Sequence, residues 1–234
     1  MPMGLFDGIA RRKAQKQYDH DLVIHNGDLA DWEEADERID RMIEVVRDCV
    51  NGKVAEQFVD RNSYGFMLEN DEFPVAFITG TGLLTVVRGP GRYEGGYGGV
   101  SFPIFGRVRG HMGGQRGTYV QGTESMKYTD SGETMITNVR VMFRGDVRTE
   151  EWKFSKMMGM EHSPDGITTI SMSTKSKPAA IGYGNDNGAA AEVQFRFEIA
   201  AALARDTLPR FLGQLEAEKA HHQGGKPVPP VAPA

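Results

Sequence analysis

The chain has 234 residues, 39% of them apolar and 25% charged, with 27 lysines and arginines against 32 aspartates and glutamates and a formal net charge of -5. That profile excludes the disordered, fibrous and membrane-spanning classes, and also a surface built throughout to neutralise nucleic-acid phosphates. Cys49 is the only cysteine, which excludes an intramolecular disulfide and any multi-cysteine zinc or iron-sulfur site. It suits a reducing compartment, so the expected location is cytoplasmic, with peripheral membrane contact as the one variation.

Residues 1–27 read as a flexible N-terminus. Leu5, Phe6 and Ile9, followed by Arg11, Arg12, Lys13 and Lys16, have the composition of a short amphipathic helix for an anionic membrane, but a frayed or locally docked end is the expectation. Residues 28–52 read as an amphipathic helix, because Trp32, Ala35, Ile39, Met42, Val46 and Cys49 recur at alternating steps of three and four. Asp28 or Asp31 is its expected N-cap and Asn51-Gly52 its stop. The stripe needs an apolar partner; another part of the chain is favoured, and a second copy meeting Trp32, Ile39, Met42 and Val46 is the alternative.

Residues 73–125 read as a glycine-rich β region, with strand-like runs at 75–79 and 83–87 separated by a Thr-Gly turn signal. The stretch 88–117 holds Arg88, Arg92, Arg107, Arg109 and Arg116 with His111, against the one acid Glu94. Those five arginines are the candidate ligand-binding residues. With Tyr93, Tyr97, Phe102 and Phe105 they have the composition of a single-strand nucleic-acid surface. The alternation of Val100, Phe102 and Ile104 instead favours hairpins whose glycines supply turn conformations.

Residues 126–220 show strand-length runs at 134–137, 140–144, 150–154, 167–173 and 192–197, punctuated by Gly145-Asp146, Pro164-Asp165-Gly166 and the segment 184–188. That spacing suits an antiparallel meander closing into a small barrel. Ile199, Ala202, Leu203, Phe211, Leu212 and Leu215 then read as helix on the end of the sheet, with Asp206 or Thr207 as a cap before Pro209. The residues from 221 onward, rich in proline, read as a disordered tail. The fold class is therefore α+β: an N-terminal amphipathic helix, a glycine-rich β region, and an antiparallel barrel capped by a C-terminal helix.

The run Thr137-Asn138-Val139-Arg140-Val141-Met142-Phe143, then Glu150-Glu151-Trp152 and the hairpin Pro164-Asp165-Gly166, resembles bacterial PH-like and GRAM-like domains. The runs RGPGRYEGGYGGVSFP (88–103), GTYVQGTES (117–125) and FRFEIAAAL (195–203) look like a group of uncharacterised actinobacterial and phage-borne proteins, a resemblance that covers roughly residues 30–220. The first resemblance implies binding of phosphoinositide headgroups or peptides, with basic residues between the first two strands of the fold. Arg107, Arg109 and Arg116 precede the block read as PH-like, which leaves them outside that loop.

The sequence lacks a P-loop, a full dinucleotide fingerprint and a His-Glu-x-x-His pair, so no cofactor and no metal is called for. Glu161-His162 are strand neighbours that point to opposite faces, which argues against a joint acid/base role. The expected function is a non-enzymatic binding or scaffolding module acting on a protein partner or a membrane surface. Nucleic-acid binding through 88–117 is the alternative, and an enzyme whose site joins Glu161, His162 or His111 is the third.

Overall fold

A computed structural model describes residues 5–90, 92–105, 108–120, 123–185 and 189–233, with side-chain positions from residue 11 onward outside 92–120. The chain forms two compact units, one of Met1–Val75, Thr137–Val139 and Phe195–Ala234, the other of Ala76–Ile136 and Arg140–Gln194.

The first unit is helical. α1 runs from Leu5 to Val50, so residues 5–27, expected to be flexible, are helical, and Asp28 and Asp31 lie in mid-helix rather than at a cap. The reason is local: this stretch is rich in Ala, Arg, Lys and Gln, and Gln15 and Gln17 donate to Asp19 and Asp21 one turn on, both at 2.8 Å. Gly27 alone, at about 1 kcal/mol, does not break such a helix. The stop falls where expected, with Gly52 at φ 84° and its N–H on the Cys49 carbonyl. A single turn, α2 (Val54–Gln57), follows.

The apolar stripe of α1 meets α4 (Leu208–Gly224). Ile43, Val46 and Cys49 are buried. Arg47 pairs with Glu216 at 3.0 Å, and Lys219 bonds Asp40. Trp32 is engaged by His222, so the stripe is at least partly occupied from within the chain. Thr207 stands at the N-cap of α4 without a side-chain cap bond, and Asp206 takes φ 54° instead of capping. Helix also continues past 221, so the proline-rich tail starts only at Gly225. In the same unit Asn138 accepts the Phe73 N–H at 2.8 Å and donates to the Asp71 carbonyl, while the Thr137 hydroxyl donates to buried Glu72 at 2.7 Å. The Thr-Asn pair of the sequence motif thus fastens residues 71–73.

The second unit is built on strands β1 (Pro74–Arg88), β2 (Arg92–Phe105), β3 (Val108–Val120), β4 (Glu124–Thr137), β5 (Arg140–Gly145), β6 (Thr149–Lys153), β7 (Met157–Ser163), β8 (Ile167–Met172) and β9 (Ala179–Gly182). Seven of them form one sheet in the order β6-β5-β4-β1-β9-β8-β7, and β2 and β3 pair separately. β6 and β7 lie at opposite edges, yet only the 3-10 turn Phe154–Lys156 joins them, so the sheet is curled into a half-barrel. Lys175, after β8, helps hold the two edges together by donating to Glu150 at 2.5 Å and lying over the Trp152 ring.

The concave face buries Leu83, Ile136, Val141, Phe143, Trp152, Ile170 and Ile181 almost completely, each contributing about 1.5 to 3 kcal/mol of apolar burial. Period-two alternation is what places them there; β8 reads alternately half-buried and buried from Ile167 to Met172.

β1 is the central strand of the seven, so the region 73–125 contributes to the same sheet as 126–220, a question the sequence leaves open. Two further expectations need correction. The runs 75–79 and 83–87 are one strand, because Gly80 at φ 66° bends β1 without ending it. The run 192–197 is not a strand: it lies in α3 (Ala189–Ala204), where the alanine-rich sequence on either side outweighs its alternation and Asn185 accepts the Ala190 N–H.

Candidate functional site

The candidate arginines fall on the connection between the first and second strands of the seven-stranded sheet, β1 and β4. Most of that connection is the β2–β3 hairpin, a ribbon in register from Arg92 opposite Val120 to Pro103 opposite Arg109. Glycine faces glycine at 95/117, 98/114 and 99/113, leaving a stretch of nearly bare backbone. Alternation puts Arg92 and Arg116 in one row of the ribbon, and Arg109 in the other with Tyr93, Tyr97 and Tyr119. Val100 and Phe102 share a row as expected; their burial, and Arg107 altogether, lie outside the described residues.

Arg88 stands at the base of the ribbon. Its guanidinium donates to Oε1 of Glu124 at 2.7 Å, and Lys177 Nζ donates to the same oxygen at 2.9 Å. The hydrogen bonds from Lys177, and then from Arg88, hold the Glu124 carboxyl below its ordinary value against a smaller opposing effect of burial. Two cations on one carboxylate leave a net positive charge, and all three side chains are exposed. Four residues along β4, on the same face by alternation, Tyr128 lies across Gly82 and Gly182, which pair directly between β1 and β9. A Cβ at either glycine would come within 2.5 Å of the tyrosine side chain, so the bare pair is the seat for an aromatic that stays 63% exposed.

A second polar group lies inside the sheet. The Thr168 hydroxyl, fully buried, is 2.9 Å from His162 Nδ1 and 2.9 Å from the Tyr183 hydroxyl. Burial raises the Tyr183 phenol above its ordinary value, while hydrogen bonds with Thr168 and Gln194 oppose that. Gln194 also donates to the Ser163 carbonyl at 3.0 Å. The group cross-links β7, β8 and the segment after β9. Glu161 is exposed and sits opposite Thr169, one position from the His162–Thr168 pair, so alternation sends it to the other face. A cleft of about 280 Å³ lies elsewhere, between α3 and α4, floored by Ala201, Ala202 and Phe211 and rimmed by Glu198, Arg205 and Arg210. It gathers neither Glu161 nor His162, and the side chain of His111 lies outside the described residues.

Among the described residues no three His, Cys, Asp or Glu side chains gather as metal ligands, and no helix is long and apolar enough to cross a membrane. Cys49 is buried, and burial together with Asp48 pushes its thiol up to about 11, the reverse of what a nucleophile needs. Comparison with known protein families, characterised proteins and solved structures gives no match.

Sequence reasoning singled out Arg88 but missed Glu124, Lys177 and Tyr128. Glu124 is 36 residues from Arg88 and 53 from Lys177, and only the strand order brings them together.

Proposed function

We propose that this chain is a non-enzymatic binding module, PH-like in kind, which docks on an anionic membrane surface through the β2–β3 ribbon and the cationic patch at its base. One observation carries the reading: the arginine-bearing ribbon is inserted between the first and second strands of a curled seven-stranded sheet. That is where the resemblance to PH-like domains implies headgroup-binding basic residues. The half-barrel supplies a rigid base, and Arg92, Arg107, Arg109 and Arg116 supply charge that anionic lipids attract at close range. Tyr128 adds an amphipathic ring of the kind that settles at a lipid–water interface.

Sedimentation with phosphatidylserine vesicles tests this. The full chain is expected to pellet with the vesicles at low salt, and to stay in the supernatant at high salt or when Arg107, Arg109 and Arg116 are replaced together by Gln. A chain that never pellets, or a triple variant that pellets as well as the parent, refutes the membrane reading.

A second reading rests on one row of the ribbon, where Tyr93, Tyr97 and Tyr119 stand with Arg109. Aromatics beside a cation suit stacking on unpaired bases. Single-stranded oligonucleotide binding that falls steeply with salt, without vesicle binding, would favour it.

A further inference from the structure

The stripe that α1 presents to α4 does not stop where α4 stops. α4 runs antiparallel to α1, from Glu216 beside Arg47 to His222 beside Trp32, and ends at Gly224. Toward the N-terminus the same alternation of three and four carries on from Trp32 through Leu29, His25, Leu22 and Tyr18. Those four are half-buried, as is Asp21, whereas every other side chain from Arg11 to Asp31 is exposed, Val23 and Ile24 included. A face of α1 beyond the end of α4 is therefore covered.

The segment after α4 fits that face. Residues 226–233 are neither helix nor strand, and each of them except Val231 is a proline or precedes one, which confines the backbone to the polyproline-II conformation. That conformation turns once in three residues. Pro227 and Pro230, one turn apart, are half-buried, while Val228 and Val231, one position on, are 84% and 93% exposed. The tail thus has an inner edge of proline, and it starts on the stripe, with Lys226 Nζ 4.9 Å from the centre of the Trp32 ring. The lengths agree: at polyproline-II and α-helical rises, Pro227 to Pro233 spans about 19 Å and Leu29 to Tyr18 about 17 Å.

We propose that the α1 stripe from Tyr18 to Trp32 is a polyproline-binding surface, filled in the free chain by the chain's own tail and open to a proline-rich segment of a partner when the tail lifts. The partner's chemistry is that of the tail: prolines at three-residue steps, in a conformation with little entropy left to lose. Recognition is by apolar contact, since a polyproline-II backbone needs no hydrogen bonds from its host. As a tethered competitor, at an effective concentration on the order of millimolar, the tail sets the affinity a partner must exceed. The surface belongs to the helical unit and is independent of membrane docking.

The test uses a fluorescein-labelled peptide of residues 225–234 and full-length chains. Pro227→Ala with Pro230→Ala in the chain frees the stripe, and by fluorescence anisotropy this double variant is expected to bind the peptide at least about tenfold more tightly than the parent does. Adding Leu22→Gln and Leu29→Gln, which keep helix propensity, removes that gain. A peptide with the same two proline replacements binds the freed chain more weakly. Acrylamide quenching reads the tail without any peptide, because of the chain's two tryptophans Trp152 is fully buried and Trp32 carries the response. The freed chain is expected to be quenched more than the parent, and excess peptide to reverse this. Peptide affinity equal in the parent and the freed chain, or unmoved by the leucine replacements, overturns the proposal. Quenching unchanged in the freed chain shows that the tail does not cover the stripe, and overturns it too.

Discussion

Trp32 and His222 bond each other twice across the α1–α4 contact. The Trp32 indole N–H donates to the His222 carbonyl at 3.1 Å, and His222 Nε2 donates to the Trp32 carbonyl at 3.1 Å. Their rings stack at 4.8 Å with an interplanar angle of 8°, and Lys226 lies over the indole. The pair fixes the register of two helices 190 residues apart in sequence. Trp32→Ala removes the stack and one of these bonds, and is expected to cost about 2 kcal/mol in urea unfolding followed by circular dichroism. Cys49 is buried and reacts only when the helices open, so the lost stability also makes thiol labelling at pH 8, slow in the parent, faster. A Trp32→Ala chain with the parent's midpoint and labelling rate would show that the helices are held by other contacts.

Asp130 predicts an acid-side loss of stability. Burial penalises its charge, but N–H groups of Arg148, Val147, Ser131 and Asp146 bind the carboxylate and together outweigh that penalty. The folded carboxyl therefore titrates below its ordinary value of 3.8. A depressed folded pKa contributes stability that is fully present above the unfolded value and is lost as pH falls through the folded one. Unfolding midpoints should drop below about pH 4 in the parent. Asp130→Asn should be less stable at pH 7 and show a shallower drop on acidification.

Gly166 in the β7–β8 turn has φ 75°, and a Cβ there would strike the Gly184 carbonyl. Both faults act together, so Gly166→Ala is expected to cost about 2 kcal/mol or more by chemical denaturation. Gly213→Ala, with open space and helical backbone, is the control and should be neutral or slightly stabilising.

The strands from Thr134 to Met172 and the stripe from Trp32 to Cys49 were legible because a single period, two or about 3.6, runs through each and one face of each is buried. The run Glu192 to Phe197 misleads for the converse reason: six alternating residues carry less weight than the alanines that follow them in the same helix. The central place of β1 was hidden by Gly80, which looks like a turn and acts as a bend. Arg88 could be picked out as a cation, but its partners could not, since a convergence of three side chains from β1, β4 and the approach to β9 is a property of strand order. The staple formed by Asn138 was half visible, as a motif without a stated role.

In the proposed function, positive charge on the connection between β1 and β4 binds this chain to anionic membranes. Equilibrium binding to supported phosphatidylserine bilayers, measured for the parent and for a chain with Arg92, Arg109 and Arg116 replaced by Gln, tests it most directly. A loss of about a hundredfold in affinity is expected, near 1 kcal/mol for each basic residue at the surface, with convergence of the two chains at high salt. Equal affinity of the two chains at low salt would contradict it.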